Sequence, residues 1–243
     1  MEIRGTAALV TGASRGLGAS LAQRLAAAGA RVVLVARGAE ELARTVETIR
    51  AAGGEAHGVV ADMGDKHAVH AIAGTAGALV GPVDLVFQNA STLGHVPLRP
   101  LLDTDCEALE QVLAVNLVGP LRLAKLLVGP MVLRGRGLVV QVTSDASVGA
   151  YPGWGAYGAS KAALDHLGRV LAAELEGTGV RVITVDPGEM RTQMHADAVP
   201  DADPATLLDP DVVAGRIVHL LREVERVPSG ARVEAAQWNE AGS

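Results

Sequence analysis

Aromatic side chains are nearly absent from this chain of 243 residues: they make up 2 % of it, while apolar residues as a whole make up 49 %. A core of that composition has to be built from Ala, Val and Leu, and small side chains let packed layers approach closely. Cysteine is scarcer still. Cys106 stands alone, which excludes an internal disulfide and any cysteine-cluster metal site. His57, His67 and His70 have no cysteine or carboxylate partners at ligand spacing, so no metal is expected. There is no run of Lys or Arg, and the formal net charge is -6, which argues against a nucleic-acid or anionic-membrane surface. Uninterrupted apolar runs fall short of the roughly 18 residues a membrane span needs. Met1-Glu2-Ile3-Arg4 leads into a strand-like run with no signal pattern, so a cytoplasmic protein is expected.

What is present is a regular alternation of short apolar runs and helical periodicity, repeated about six times without a composition break. It predicts one α/β domain over residues 1–243, a doubly wound parallel sheet of the Rossmann type with about seven strands between two helical layers. Ligands of such sheets bind at the strand carboxyl ends. The first strand, at 6–10, runs into Thr11-Gly12-Ala13-Ser14-Arg15-Gly16-Leu17-Gly18 and then into a helix. Strand, glycine turn and helix in that order let a backbone approach a pyrophosphate, with a helix N-terminus facing it. The second strand, at 31–36, ends in Ala36-Arg37. NAD-preferring folds carry an acid there for the ribose 2′-hydroxyl, whereas a nearby arginine accommodates the 2′-phosphate of NADP.

Further along, a strand at 137–143 delivers Ser144 to a strand end. Tyr157-Gly158-Ala159-Ser160-Lys161 then opens a long amphipathic helix. Tyr157 and Lys161 lie one helical turn apart on one face. An ammonium beside a phenol favours the phenolate, so the tyrosine pKa is expected to fall toward neutrality, where it serves as a general acid or base.

Thr-Gly-x-x-x-Gly-x-Gly at 11–18, followed by Ser144 and Tyr157-x-x-x-Lys161, resembles the single-domain short-chain dehydrogenase/reductase family over essentially the whole chain. The resemblance implies NADP(H)-dependent interconversion of a ketone or aldehyde and an alcohol, with NAD(H) the less favoured cofactor. Ser144 would hold the substrate oxygen, Tyr157 transfer the proton, Lys161 lower the phenol pKa and bind ribose, and Asn116 hold the water that completes the relay. Asn116 falls in a helix opened by a capping-box pattern at Thr104 and Glu107, which Gly119-Pro120 is expected to kink and Gly129-Pro130 to end. The cofactor set implied is Gly12, Ser14, Arg15, Gly16, Leu17, Gly18, Arg37, Asp62, Asn89, Ala90, Tyr157, Lys161, Pro187, Gly188, Met190 and Thr192. Arg15 is a second 2′-phosphate contact, so two cations and no acid are expected at the adenosine end. Asp62 faces adenine or caps the helix that begins near Asp65. Relatives read Asn-Asn-Ala-Gly where this chain has Gln88-Asn89-Ala90-Ser91, and Gly-Gly where it has Gln237-Trp238.

The substrate side is assigned to Ser91, Asp145, Ala146, Trp154, Met194 and His195, with a mobile lid over 189–211. Asp145 either selects a polar or cationic substrate or faces solvent and caps a turn. Tyr151 and Trp154 flank a ligand or close a helix end. A small-molecule carbonyl or alcohol substrate and a homodimer or homotetramer are expected. The competing reading is a noncatalytic NADP-binding sensor or scaffold on the same fold, which loss of Tyr157, Lys161 or Ser144 would have favoured.

Overall fold

A computed structural model describes residues 1–238. Seven strands, all parallel, form one sheet in the order β3-β2-β1-β4-β5-β6-β7. They are β1 (Ala7–Thr11), β2 (Arg31–Ala36), β3 (Glu55–Val60), β4 (Leu85–Gln88), β5 (Gly137–Val142), β6 (Val180–Asp186) and β7 (Arg232–Glu234). The order reverses beside β1, so β1 and β4 carry the chain in opposite lateral directions and leave a crevice at their carboxyl ends.

Both faces of the sheet are buried. Ala8 and Val10 of β1 join a core with Leu21 and Leu25 of α1 (Gly16–Ala27), Leu42 and Val46 of α2 (Ala39–Ala51) and Ile217 and Leu221 of α8 (Pro210–Arg222). Ala7 and Leu9 point the other way. They join Val69 and Ile72 of α3 (Lys66–Val80), together with Leu123 and Met131 of α5 (Gly119–Arg134) and Ala172 of α6 (Gly155–Glu174). Near-continuous apolar runs are what a strand covered on both faces requires.

The helix around Asn116 departs from expectation. Asp105, not Thr104, precedes α4 (Cys106–Leu113), and no side chain caps it; Thr104 Oγ1 instead donates to the Pro100 carbonyl at 3.2 Å. Neither Gly-Pro pair breaks the helix. A π-helical turn, Ala114–Val118, joins α4 directly to α5, and Pro120 sits in the first turn of α5 where its missing N–H costs nothing. Pro130 is carried on an exposed face and α5 continues to Arg134. The continuous helix Cys106–Arg134 has 29 residues and a mean hydropathy of 1.6 over its most apolar window, long and apolar enough to cross a membrane. It is not an uninterrupted apolar run, since Asn116, Arg122 and Lys125 fall within it. Its Leu123, Leu127 and Met131 are packed into the core beneath the sheet.

Candidate active site

Thr11, at the carboxyl end of β1, ties the glycine turn to its neighbour strand. Its Oγ1 donates to the Phe87 carbonyl at 3.2 Å and accepts from the Asn89 and Ala90 N–H groups at 3.1 and 3.0 Å. Asn89 Nδ2 returns bonds to the Thr11 and Gly12 carbonyls at 3.0 and 3.1 Å. The turn is so tight that a Cβ on Gly18 would lie 2.2 Å from the Gly12 carbonyl oxygen and 2.6 Å from Asn89 Nδ2. Only glycine fits there, and the closeness brings the uncapped N-terminus of α1 up to the crevice.

A cleft of about 520 Å³ opens over these strand ends. Gly12, Ser14, Arg15, Gly16, Leu17, Gly18, Arg37, Asp62, Asn89, Ala90, Tyr157, Lys161, Pro187, Met190 and Thr192 all line it. Gly188 does not; it lines a second cleft of about 290 Å³ with Ser144, Asp145, Ala146, Trp154 and His195. Met194 borders both clefts, and Ser91, expected on the substrate side, lines the larger one. Tyr157 and Thr143 stand at the seam between them. Asn116 lines neither cleft.

At the adenosine end the expectation of no acid fails. Glu41, one turn into α2, lines the cleft and accepts from Ser14 Oγ at 3.4 Å. Arg37 Nη1 lies 3.8 Å from Asp62 Oδ2, a half-exposed pair. Asp62 Oδ1 accepts from the Gly64 N–H at 2.8 Å, while Asp65 caps α3 by accepting from the His67 N–H. Asp62 is therefore not the helix cap.

The Tyr157 helix is pressed against the turn that carries Ser144: a Cβ on Gly158 would lie 2.7 Å from the Ala146 carbonyl oxygen. Lys161 is buried, and its Nζ donates to the Val142 carbonyl at 2.8 Å and lies 5.5 Å from the Tyr157 ring centre. Burial pushes Lys161 down to about 8, against the fields of Asp165 and Asp186, which favour its charge. Burial also pushes the Tyr157 phenol up to about 12, with the Ser144 and Ser91 hydroxyls facing it and acting in the opposite sense. The expected lowering of the tyrosine is thus absent, because desolvation of the phenolate outweighs the two hydroxyls. Ser144 Oγ donates to Asp145 Oδ1 at 2.8 Å.

Asn116 is buried in the π-turn. Its Oδ1 accepts from the Thr92 N–H at 2.8 Å, while Nδ2 donates to the Thr92 carbonyl at 2.9 Å and to Ser160 Oγ at 3.0 Å. Ser160 Oγ in turn donates to the Tyr157 carbonyl at 2.6 Å. Asn116 therefore links the strand-four loop to the Tyr157 helix through side-chain contacts that sequence spacing did not suggest. The segment 189–211 begins with a short helix, α7 (Gln193–Ala198), as expected, with Thr192 Oγ1 accepting from the His195 N–H at 3.3 Å. A bridge between Met190 and Leu208 and the Arg191–Asp209 pair at 3.0 Å close its base.

The features that fit a dinucleotide are the cradle that any Cβ at Gly18 would fill, the uncapped helix end and the seam residue Thr143, which is 2 % exposed with Oγ1 unpartnered. A parallel sheet in this strand order with such a crevice defines the dinucleotide-binding class of α/β proteins. Within that class the chain belongs to the short chain dehydrogenase family, whose family model matches residues 6–203.

Among its relatives, the L-xylulose reductase of Bos taurus is 33 % identical over 93 % of this chain and 89 % of its own length. The glycine betaine reductase ATRR of Emericella nidulans is 34 % identical over 93 % of this chain, which spans only 18 % of that much longer protein. The crystal structure of a metagenomic short-chain oxidoreductase in complex with NADP superposes with a TM-score of 0.78 at 34 % identity, covering 91 % of this chain and 92 % of the other. The chain is an oxidoreductase of this family.

Proposed function

We propose that this protein is an NADP(H)-dependent oxidoreductase that interconverts a ketone or aldehyde and an alcohol. The observation that carries the reading is the convergence of the buried Tyr157 and Lys161 with Ser144 at the seam of the two clefts. Bound at the larger cleft, the nicotinamide cofactor supplies or accepts the hydride. Arg15 and Arg37, which line that cleft, would hold its 2′-phosphate. NADP preference then rests on two guanidiniums against the single unpaired acid Glu41, and the NADP complex of a relative supports it.

Ser144 turns its hydroxyl from Asp145 to the substrate oxygen, and Tyr157 gives that oxygen a proton. Burial keeps the phenol protonated at neutral pH, so it carries the proton to be given, but its raised pKa makes it a weak acid whose phenolate needs support. Lys161, largely ammonium at neutral pH, supports the phenolate left behind. Asn116 holds the Thr92 loop and the Tyr157 helix together and leads the relay toward solvent. Segment 189–211 acts as the lid.

The smaller cleft is lined by Asp145, Asp186 and Glu189 and by no Lys or Arg, so its substrate is an uncharged or cationic carbonyl compound. The protein works in the cytoplasm as a dimer or tetramer, paired through the outer faces of the Cys106–Arg134 helix and α6, where Leu133 and Val170 are exposed.

The test is NADPH titration followed by a carbonyl panel, with Tyr157→Phe in parallel. The expected outcome is tight NADPH binding by both proteins and turnover lowered roughly 10²- to 10⁴-fold in the variant. Unchanged turnover in Tyr157→Phe removes the phenol from the mechanism. Tight binding without any turnover supports the sensor reading instead.

A further inference from the structure

Behind the Ser144 turn lies a group of mostly buried charges whose part in the reaction as described is limited to the field of its two carboxylates on Lys161. Asp165, one helical turn beyond Lys161, has a side chain 6 % exposed, and Asp186, at the end of β6, one 7 % exposed. Arg232, at the start of β7, reaches both: its Nη2 lies 2.5 Å from Asp186 Oδ2 and its Nε 3.6 Å from Asp165 Oδ2. The same Nη2 donates to the Ser144 carbonyl at 3.3 Å. Each carboxylate holds a further piece of the site. Asp165 Oδ2 accepts from Ser147 Oγ at 2.6 Å, pinning the turn after Ser144 to the Tyr157 helix. Asp186 Oδ1 accepts from the Gly188 N–H at 2.9 Å, shaping the Pro187-Gly188 loop.

We propose that Arg232 is a positioning residue, whose single guanidinium holds the Ser144 turn, the Tyr157 helix and the Pro187-Gly188 loop at fixed spacing. The proposal rests on the reductase reading, because it takes Ser144 and Tyr157 as the groups whose spacing matters. Stability alone accounts poorly for the cluster. A buried ion pair adds little over well-packed apolar groups of similar size. This cluster is also incompletely satisfied, with Asp165 Oδ1 and Arg232 Nε lacking hydrogen-bond partners, which a network serving only stability would avoid. What the guanidinium provides that an apolar side chain cannot is a rigid fork. It joins elements at 144, 165 and 186 from a fourth element, β7, and a displacement of about 1 Å among reacting groups costs about a hundredfold in rate.

The test compares wild type with Arg232→Lys, which keeps the charge and loses the fork. The expected result is an NADPH Kd within about threefold of wild type, KM for a carbonyl substrate moving less than kcat, and kcat falling roughly tenfold to a hundredfold. Amide hydrogen exchange at Ala146 and Gly188 should quicken about tenfold or more, with β1 and α1 unchanged. Should Arg232→Lys not fold, the Asp165→Asn/Asp186→Asn/Arg232→Met variant takes its place; because those carboxylates also favour the charge of Lys161, it is read by exchange at Ala146 and Gly188 and not by a fall in kcat. Wild-type kcat in the folded variant, or unaltered exchange at both amides, overturns the proposal. A wild-type protein that turns over no carbonyl compound sinks the reductase reading and the proposal with it, and that result is separable from a failure of Arg232 alone.

Discussion

The two clefts that meet at Tyr157 carry opposite charge. The larger gathers Arg15, Arg37, Lys161 and Arg191 against Glu41 and Asp62, whereas the smaller has Asp145, Asp186 and Glu189 and neither Lys nor Arg. Of those three acids, Asp186 is matched by Arg232, while Asp145 and Glu189 stand at the exposed mouth. The field of the smaller cleft reaches the tyrosines. Tyr151 is held above its ordinary pKa chiefly by neighbouring Asp145, with Glu189 and Asp186 adding to the effect, and Asp186 and Asp145 also raise Tyr157. One seam thus joins a half suited to a polyanion to a half that repels anions, so the chain sorts cofactor from substrate by charge as well as by shape.

Reversing one charge of the larger cleft, which cancels its excess of cations, should have the largest effect on this contrast. Arg37→Asp is expected to weaken NADPH binding about 10- to 100-fold, the loss of one charge-assisted contact, while NADH binding is unchanged or improved. Fluorescence titration with both cofactors measures this, and an unchanged ratio removes Arg37 from the 2′-phosphate site. A smaller effect is expected in the other half. Across 4-trimethylammonio-, 4-nitro- and 4-carboxybenzaldehyde, kcat/KM should fall in that order, by about tenfold from cation to anion, the scale of one half-solvated charge pair. Asp145→Asn combined with Glu189→Gln should flatten the series, and a flat series in wild type dissolves the contrast between the clefts. Salt distinguishes them further. Raising ionic strength from about 0.01 to 0.5 M should raise the NADPH Kd severalfold and leave KM for the neutral aldehyde nearly constant.

The smallest expected effect is on stability. Lys161 titrates near 8 in the folded chain and at 10.5 when unperturbed. Between those values the unfolded chain binds a proton that the folded one does not, so this contribution to stability rises with pH across that window and its penalty is complete below it. Denaturant titrations at pH 7.5 and 10 should show the rise in wild type and lose it in Lys161→Met. Equal slopes in both proteins would mean that Lys161 is not the group responsible.

Much of this was legible before any coordinates. Strand ends, glycine turns and the Tyr157–Lys161 spacing are local properties, set by periodicity and by positions where a Cβ cannot fit, and in the structure Ser144, Tyr157 and Lys161 line the clefts. Other features depend on what the chain meets after folding. Glu41 enters the cleft because α2 turns it toward Ser14, and nothing in the order of residues near Arg37 marks it. Thr104 loses its capping role because the turn Leu101–Asp103 places the Pro100 carbonyl within its reach. The direction of the Tyr157 shift turns on burial, which spacing does not report. Arg232 lies 88 residues from Ser144 and becomes its neighbour only through the pairing of β7 with β6.

The π-turn at Ala114–Val118 has a consequence for the helix on either side of it. Such a turn holds one residue more than the α-helix around it, and one residue corresponds to about 100° of rotation. The two halves of Cys106–Arg134 are therefore out of phase: α4 packs on α6, while α5 packs on α3 and the sheet. The inserted residue acts as a rotary offset that lets one continuous helix address two differently oriented neighbours. Deleting any one residue of that turn would bring the halves into step and aim one of them at the wrong partner, so a single-residue deletion there should be far less tolerated than a substitution that keeps the count.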